Sequence, residues 1–370
     1  MSLLLGNGYT PCATLQINWI ANCRRESCKK YECEIYSEKN SSHWRFERIK
    51  RIANGRLSLY GMTLTQAHRF NKAYAKYDST GICQIAARMT FFTHQIEKGL
   101  SHTNFRYGFG HKPLQYLKDA MEKYQHADAS YESSVVYQSA LAALHEYAVR
   151  HEGHEEEFAF ARSLFPGNIW RAAAQAPVTC GGSLVITAES KLHNASLTFS
   201  ELSENRHSVR EYSSSPVSYE EIKPAIDCAM RTPSVCNRQP SRVKVILDPK
   251  QISSALQIQG GFGGYAMPPA LILITADSRV FMTPQEHNEG FVDGGLFGMS
   301  LLLALEEKGL AACPLNTMFL PSADKATRKL LDIPDYENFV MYIAVGHFPD
   351  EIRTCRSTRR NSDDVICLIR

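Results

Sequence analysis

Arg206-His207-Ser208-Val209-Arg210 sets two guanidinium groups and a hydroxyl at every second position. If the segment is extended, alternate side chains point the same way and the three groups converge. A planar guanidinium fork matches phosphate oxygens, and charge-assisted bonds of this kind are the strong ones. Surface segments produce R-x-S-x-R often, so its meaning depends on the groups that accompany it further along the chain. Pro233-Ser234-Val235-Cys236-Asn237-Arg238-Gln239-Pro240-Ser241-Arg242 comes next. Its two prolines fix the loop, and Asn237 with Gln239 presents donor and acceptor atoms together, as the polar edge of a ring requires. A plain polar turn is the other reading. Gly309 to Asn316 then offers small residues whose main-chain N–H groups could approach a flat ligand, and Arg353, Arg356, Arg359 and Arg360 make a basic tail.

These groups need elements to hold them. Ser218 and Glu221 are spaced as a capping box for a helix carrying Ile222, Ile226 and Met230, which Pro224 should bend. Val243, Val245 and Leu247 alternate as a strand should, and Ala270 to Ala276 is a short apolar run suited to a buried strand. Gly290 to Lys308 reads as a buried helix with glycines that permit close packing, and Phe339 to Val345 as a further strand. The carboxy-terminal half is therefore α+β. Residues 60–165 read as an all-helical region, with helices over Ile82–Gly99, Pro113–Tyr124 and Tyr131–Arg150. The segment 166–196, rich in Ala, Gly, Ser and Thr, reads as a linker. Residues 1–59 show no sustained period and read as an extension of uncertain order.

Composition narrows the function classes. The 370 residues carry 44% apolar and 21% charged side chains, the balance of a folded globular chain. A net charge of +3 is too small to argue for a nucleic-acid partner, although ten Lys or Arg face five acids between Arg24 and Arg56. No apolar run approaches the ~20 residues of a membrane span, and the first residues lack the pattern of a secretory signal, so a cytoplasmic location is expected. The eleven cysteines then read as reduced thiols. Cys23, Cys28 and Cys33 would need His43 or Cys12 to complete a metal site, and the spacing fits no common zinc pattern. His145, His151 and His154 with Glu152 and Glu155 read as a wet helix end. His94-Gln95-Ile96-Glu97-Lys98-Gly99, followed by Phe105 to Gly110, is either a ligand-binding patch or a helix end with an aromatic-anchored loop, and the second is favoured. The glycine-rich run 260–264 is an ordinary loop or a lid, since no Lys-Ser/Thr follows it.

Taken in order, the four groups resemble the nitroreductase family of FMN enzymes over about residues 200–365. The resemblance implies an FMN-binding domain at 197–370, a mixed sheet flanked by helices and preceded by the helical region. It implies that Arg206 and Ser208 bind the FMN phosphate, with Arg359 completing the pocket and Arg356 or Arg360 as alternatives. Arg210 would contact the ring near N1 and O2, and Asn237 would meet N3 and O4 from the loop that also holds Gln239. Pro233 and Ser234 would form the wall supplied by the second subunit of a homodimer, while Cys313, Pro314 and Leu315 would lie along the ring near N5. The implied chemistry is ping-pong hydride transfer from NAD(P)H through flavin N5 to a nitro compound, quinone or biosynthetic intermediate, with Arg210 stabilising the charge that develops. No side-chain acid or base is required, so His207 has no assigned role. Ser241 stands where many members carry an aromatic residue. The His94–Gly110 string is similar to an extension on nitroreductase-like proteins associated with polysaccharide biosynthesis. A non-catalytic flavin-binding or scaffold protein acting through the helical region is the competing reading.

Overall fold

The structure, a computed structural model, describes residues 42–370, with side chains from Arg48 onward except Arg51. Two compact units are present, one taking 42–68 with 283–285 and the other taking 69–282 with 286–370. Helix α1 (Ser42–Ala73) accounts for the first. Part of the stretch expected to be of uncertain order is thus helical; it shows no clear period because Ile49, Ile52, Leu57, Tyr60 and Leu64 are all exposed, leaving no buried stripe to mark it. Cys12, Cys23, Cys28, Cys33 and the His43 side chain lie outside the described residues.

The second unit begins with α2 (Ile82–Leu100), α3 (His111–Ala127), α4 (Val135–Arg150), α5 (Glu155–Leu164) and α6 (Gly167–Gln175). Ile85, Met89, Ile96 and Leu100 of α2 recur at helical spacing and meet Leu114 and Leu117 of α3 and Leu144 and Tyr147 of α4 in one core. The helix expected from Tyr131 starts only at Val135, after a single tight turn at Tyr131–Ser133. Asp128 explains the delay, since its carboxylate takes the Ser130 N–H and hydroxyl at 2.9 and 2.8 Å and holds the chain in a turn.

The segment 166–196 is a correction to the sequence reading. Besides α6 it carries strand β1 (Ser183–Thr187), which pairs antiparallel with β6 (Glu351–Cys355). Its partner lies so far along the chain that no local signal could announce the pairing. Between these strands run α7 (Phe199–Asn205), α8 (Tyr219–Ala229), β2 (Ser241–Ile246), α9 (Pro249–Gln259), β3 (Ala270–Asp277), α10 (Glu289–Glu307), β4 (Leu310–Asn316), α11 (Pro321–Leu331) and β5 (Glu337–His347). The Ser218–Glu221 capping box is formed, and α8 continues through Pro224.

The α+β architecture follows from a four-stranded sheet, ordered β2-β3-β5-β4 with antiparallel pairings, that is buried on both faces. Ile272, Ile274, Ile343 and Val345 face α8 and α10, while Leu271, Leu273, Tyr342 and Ala344 face the α9 and α11 side. This period-two division explains why β3 reads as a continuous apolar run. Helix α10 presses onto β5 at Gly294, where an added Cβ would sit 2.6 Å from Val340. Among the described residues no helix is long and apolar enough to cross a membrane.

Candidate functional site

The segment from Arg206 to Ser213 runs beside the free edge of β4. Val209 N–H bonds the Ala312 carbonyl at 3.1 Å, and Ser213 N–H bonds the His347 carbonyl at 3.0 Å. The Tyr212 hydroxyl adds bonds to the Val209 and Ala344 carbonyls at 2.8 and 3.2 Å, and burial pushes its pKa far up. Val209 is fully buried, so the segment is anchored through its centre and offers Ser208 and Arg210 on the other side.

At its amino-terminal end, Arg206 follows α7 and is half-buried, with one terminal nitrogen, Nη1, buried and without a partner among the described residues. Burial pushes its pKa down; Glu306 opposes this and Arg359 reinforces it. Glu306 is already bound by Lys191 at 2.8 Å and by the Asn194 side-chain amide, so it serves a buried pair of its own. Of the tail arginines, Arg359 is the one that stands close to Arg206. Arg356 is tied to the Gly181 carbonyl at 3.2 Å, Arg353 lies by Ser183 and Glu146, and Arg360 lines a different cleft with Tyr124 and Asp128. A buried, unpartnered guanidinium nitrogen with a second arginine nearby is an arrangement that an anion would stabilise.

At the other end, Arg210 is packed among groups from three parts of the chain. Its guanidinium lies 3.2 Å from the Ser208 carbonyl, 3.5 Å from Cys355 Sγ on β6 and 3.5 Å from His94 Nε2 on α2. His94 Nδ1 is 3.5 Å from the buried Glu97 carboxylate. Hydrogen bonds to Cys355 and Glu97 push His94 up to about 9, outweighing burial and the opposing charge of Arg210. Lys98, one turn further along α2, has its pKa pushed down by burial and by Arg210. Its Nζ is 3.4 Å from the Gly261 carbonyl, and its own carbonyl accepts from the Tyr265 hydroxyl at 3.3 Å. His94, Glu97 and Cys355 hold their ligand atoms within 4.8 Å of one another. The Arg210 guanidinium stands against two of the three, so the field there opposes a cation.

The other predicted groups are placed differently. Cys313, Pro314 and Leu315 form part of β4, with Cys313 buried and its thiol pKa raised by that burial; Arg206 and Arg210 both lie near enough to oppose the rise. Pro233 to Pro240 forms a loop, leading into β2, pinned by Val235 N–H to Asp293 of α10 at 3.2 Å and by Gln239 N–H to the Ser234 hydroxyl at 2.9 Å. Cys236, Asn237 and Gln239 all have positive φ, at 47°, 56° and 50°. Non-glycine residues there cost on the order of 1 kcal/mol or more each, and such strain gathers at functional loops. Asn237 and Gln239 are exposed and bond to each other at 3.2 Å. Among the described residues no hydrogen bond joins this loop to the Arg206–Arg210 segment.

Sequence reasoning missed His94, Glu97, Lys98 and Cys355. The helix-end reading of the His94–Gly99 string is correct in part, since α2 stops at Leu100 with Ser101 closing it. Its polar face, however, packs on Arg210 instead of facing water. The signal was the string itself, three ionisable side chains within five residues, and nothing local said what they faced. Elsewhere, His151 is a satisfied core histidine. Its Nδ1 contacts the Tyr147 carbonyl at 2.7 Å and its Nε2 takes the Gly108 N–H at 2.8 Å, which leaves no lone pair for a metal.

Known proteins share this framework in part. A profile of the Nitroreductase family matches residues 204–259 and 261–347. A protein of Archaeoglobus fulgidus, provisionally named NADH dehydrogenase/NAD(P)H nitroreductase, is 30% identical over 153 residues, 40% of this chain and 83% of that protein. Among solved structures, an FMN-dependent nitroreductase of Clostridium difficile R20291 is 22% identical, covering 44% of this chain and 92% of that one with a TM-score of 0.36. A nitroreductase family protein of Clostridium difficile 630 is 25% identical, covering 41% and 85% with a TM-score of 0.35.

Proposed function

Because the chain belongs to the nitroreductase family, we propose that it is an FMN-dependent oxidoreductase working on NAD(P)H and a small organic acceptor. The observation that carries this reading is the buried, unpartnered Nη1 of Arg206 beside Arg359. A phosphate fits that corner, since it would supply acceptor oxygens to the orphaned donor and offset two cations at once. Arg206, Arg359 and the Ser208 hydroxyl are therefore the residues that would hold the FMN phosphate.

When bound, FMN would supply hydride acceptance from NAD(P)H and hydride return to the acceptor in alternating half-reactions. Arg210 would hold a permanent positive charge at the ring end of the segment, in a largely buried setting where a fixed charge acts strongly. Cys313, Pro314 and Leu315 would border the ring. Pro233 and Ser234 would serve the site of a second copy, and Asn237 and Gln239, on the same loop, would meet the polar edge of the ring. A homodimer is supported by the exposed apolar face of α10, where Val292, Leu296 and Met299 follow one another at helical spacing with Phe291 beside them.

The test is direct. Purified full-length protein should be yellow, elute as a dimer and oxidise NAD(P)H in the presence of a quinone. Protein that is colourless and stays so after mixing with FMN would sink the reading. Bound flavin with no NAD(P)H oxidation would instead make the chain a flavin-binding protein.

A further inference from the structure

Beside the Arg210 end lies a cleft of about 350 Å³, lined by Lys98, His102, Asn104 and Arg106 together with Gly263 and Gly264. The volume suits a small organic molecule. Its charge is one-sided. A lysine, an arginine and a histidine face it, and among the described residues no carboxylate lines it. Glu211, the carboxylate beside His102, is taken up by the Thr103 N–H at 3.1 Å and by His102 at 3.5 Å.

The cleft has a fixed floor. Phe109 packs against Gly99 so closely that an added Cβ would lie 1.8 Å from its ring, and the Phe109 carbonyl accepts from the buried Tyr147 hydroxyl at 2.8 Å. Arg150 lies over the Phe105 ring and donates to the Leu100 carbonyl at 3.1 Å. The loop carrying Asn104 and Arg106 is thus held by α4. The cleft also adjoins the Arg210 cluster, directly through Lys98 and by way of Tyr265 through His102. Lys98 borders both, and His102 stacks on Tyr265 with ring centres 4.0 Å apart. Lys98 reaches the Gly261 carbonyl at the long distance of 3.4 Å and lies 5.8 Å from the centre of the Tyr265 ring, and an anionic oxygen would be a better partner than either.

We propose that this cleft binds an organic anion bearing a phosphate, sulfonate or carboxylate and, resting on the oxidoreductase reading above, that this anion is the acceptor substrate. Arg106 and Lys98 bind the charged group, and the reducible part lies toward Arg210. The helical region then sets acceptor specificity for chemistry carried out by the α+β region.

The probes are 1,4-naphthoquinone-2-sulfonate and neutral 1,4-naphthoquinone, each reduced to its hydroquinone by a hydride from NADH and a proton from solvent. In the full-length protein Arg106→Gln should raise the ratio of KM for the sulfonate to KM for the neutral quinone about tenfold, the loss expected for one charged contact. Asn104→Asp, at an exposed position with little risk to folding, should move the ratio the same way. An unchanged ratio, or a rise confined to the KM for NADH, overturns the acceptor assignment. Calorimetric titration of the sulfonate into protein without reductant separates the two claims. Binding weakened by both substitutions, with no turnover of either quinone, supports the anion cleft and refutes the oxidoreductase reading. Turnover with titrations that do not distinguish wild type from the variants refutes the cleft.

Discussion

Arg206 and Arg210 occupy the two ends of one extended segment, yet their surroundings differ in origin. The charged neighbours that shift Arg206, namely Glu306 and Arg359, come from the α+β region. Arg210 instead meets His94 of α2 as well as Cys355 of β6. One corner is complete within the α+β region and has a donor to spare, while the other is finished by the helical region and is crowded. The family profile matches the part of the chain that carries both arginines and does not extend to α2.

The largest effect should fall on the corner that lacks a partner. Arg206→Ala removes two or so charged contacts to the phosphate, about 3 kcal/mol or roughly a hundredfold in FMN affinity. Equilibrium titration with FMN measures it, and the rate of flavin reduction in reloaded protein should change little by comparison. Arg210→Ala should do the converse. Reduction by NAD(P)H in stopped flow should slow about a hundredfold, ~2.7 kcal/mol in the barrier, with FMN still retained. If the two substitutions exchange their effects, the two ends of the segment have been assigned the wrong way round.

How much of this was legible beforehand differs between the same two corners. Arg206, Ser208 and Arg210 could be read because their spacing is local, as could the Ser218–Glu221 cap and the buried run of β3. Arg359 already stood first among the tail arginines in the sequence, and the fold adds what its neighbours do, because the pairing of β6 with β1 ties Arg356 to Gly181 and Arg353 to Ser183. The same pairing explains why 166–196 looked like a linker. His94 and Lys98 were visible as a polar string, but a helix end in water and a helix end on a buried arginine share one local pattern. Which of the two applies depends on residues more than a hundred positions away.

A smaller effect concerns how the helical region holds its side of the comparison. Gly99→Ala drives a methyl into the Phe109 ring and should cost about 1–3 kcal/mol. Gly61→Ala in α1, where an added Cβ meets nothing within 4 Å, should be neutral or stabilising by ~0.5–1 kcal/mol. Urea denaturation of the two variants compares them directly. A Gly99→Ala protein as stable as wild type would show that Phe109 is not fixed against α2, and the rigid floor of the cleft would go with it.

The smallest effect is a pH dependence carried from one region to the other. His94 is raised to about 9 in the folded chain by Cys355 and Glu97, against an ordinary value of 6.5. Between those two values the folded state binds more protons at this site than the unfolded state does, so stability falls as pH rises. The contribution is fully present below pH 6.5 and is lost as pH passes through about 9. The His94 side chain is 33% exposed, and solvent screening reduces the effect to on the order of 1 kcal/mol, a few degrees in Tm. Thermal unfolding of wild type and His94→Gln across this window measures it. The wild-type curve should descend more steeply, and parallel curves would mean that the imidazole next to Arg210 is neutral and accepts from the guanidinium. The helical region would then bring a hydrogen-bond acceptor to the Arg210 corner in place of a second positive charge.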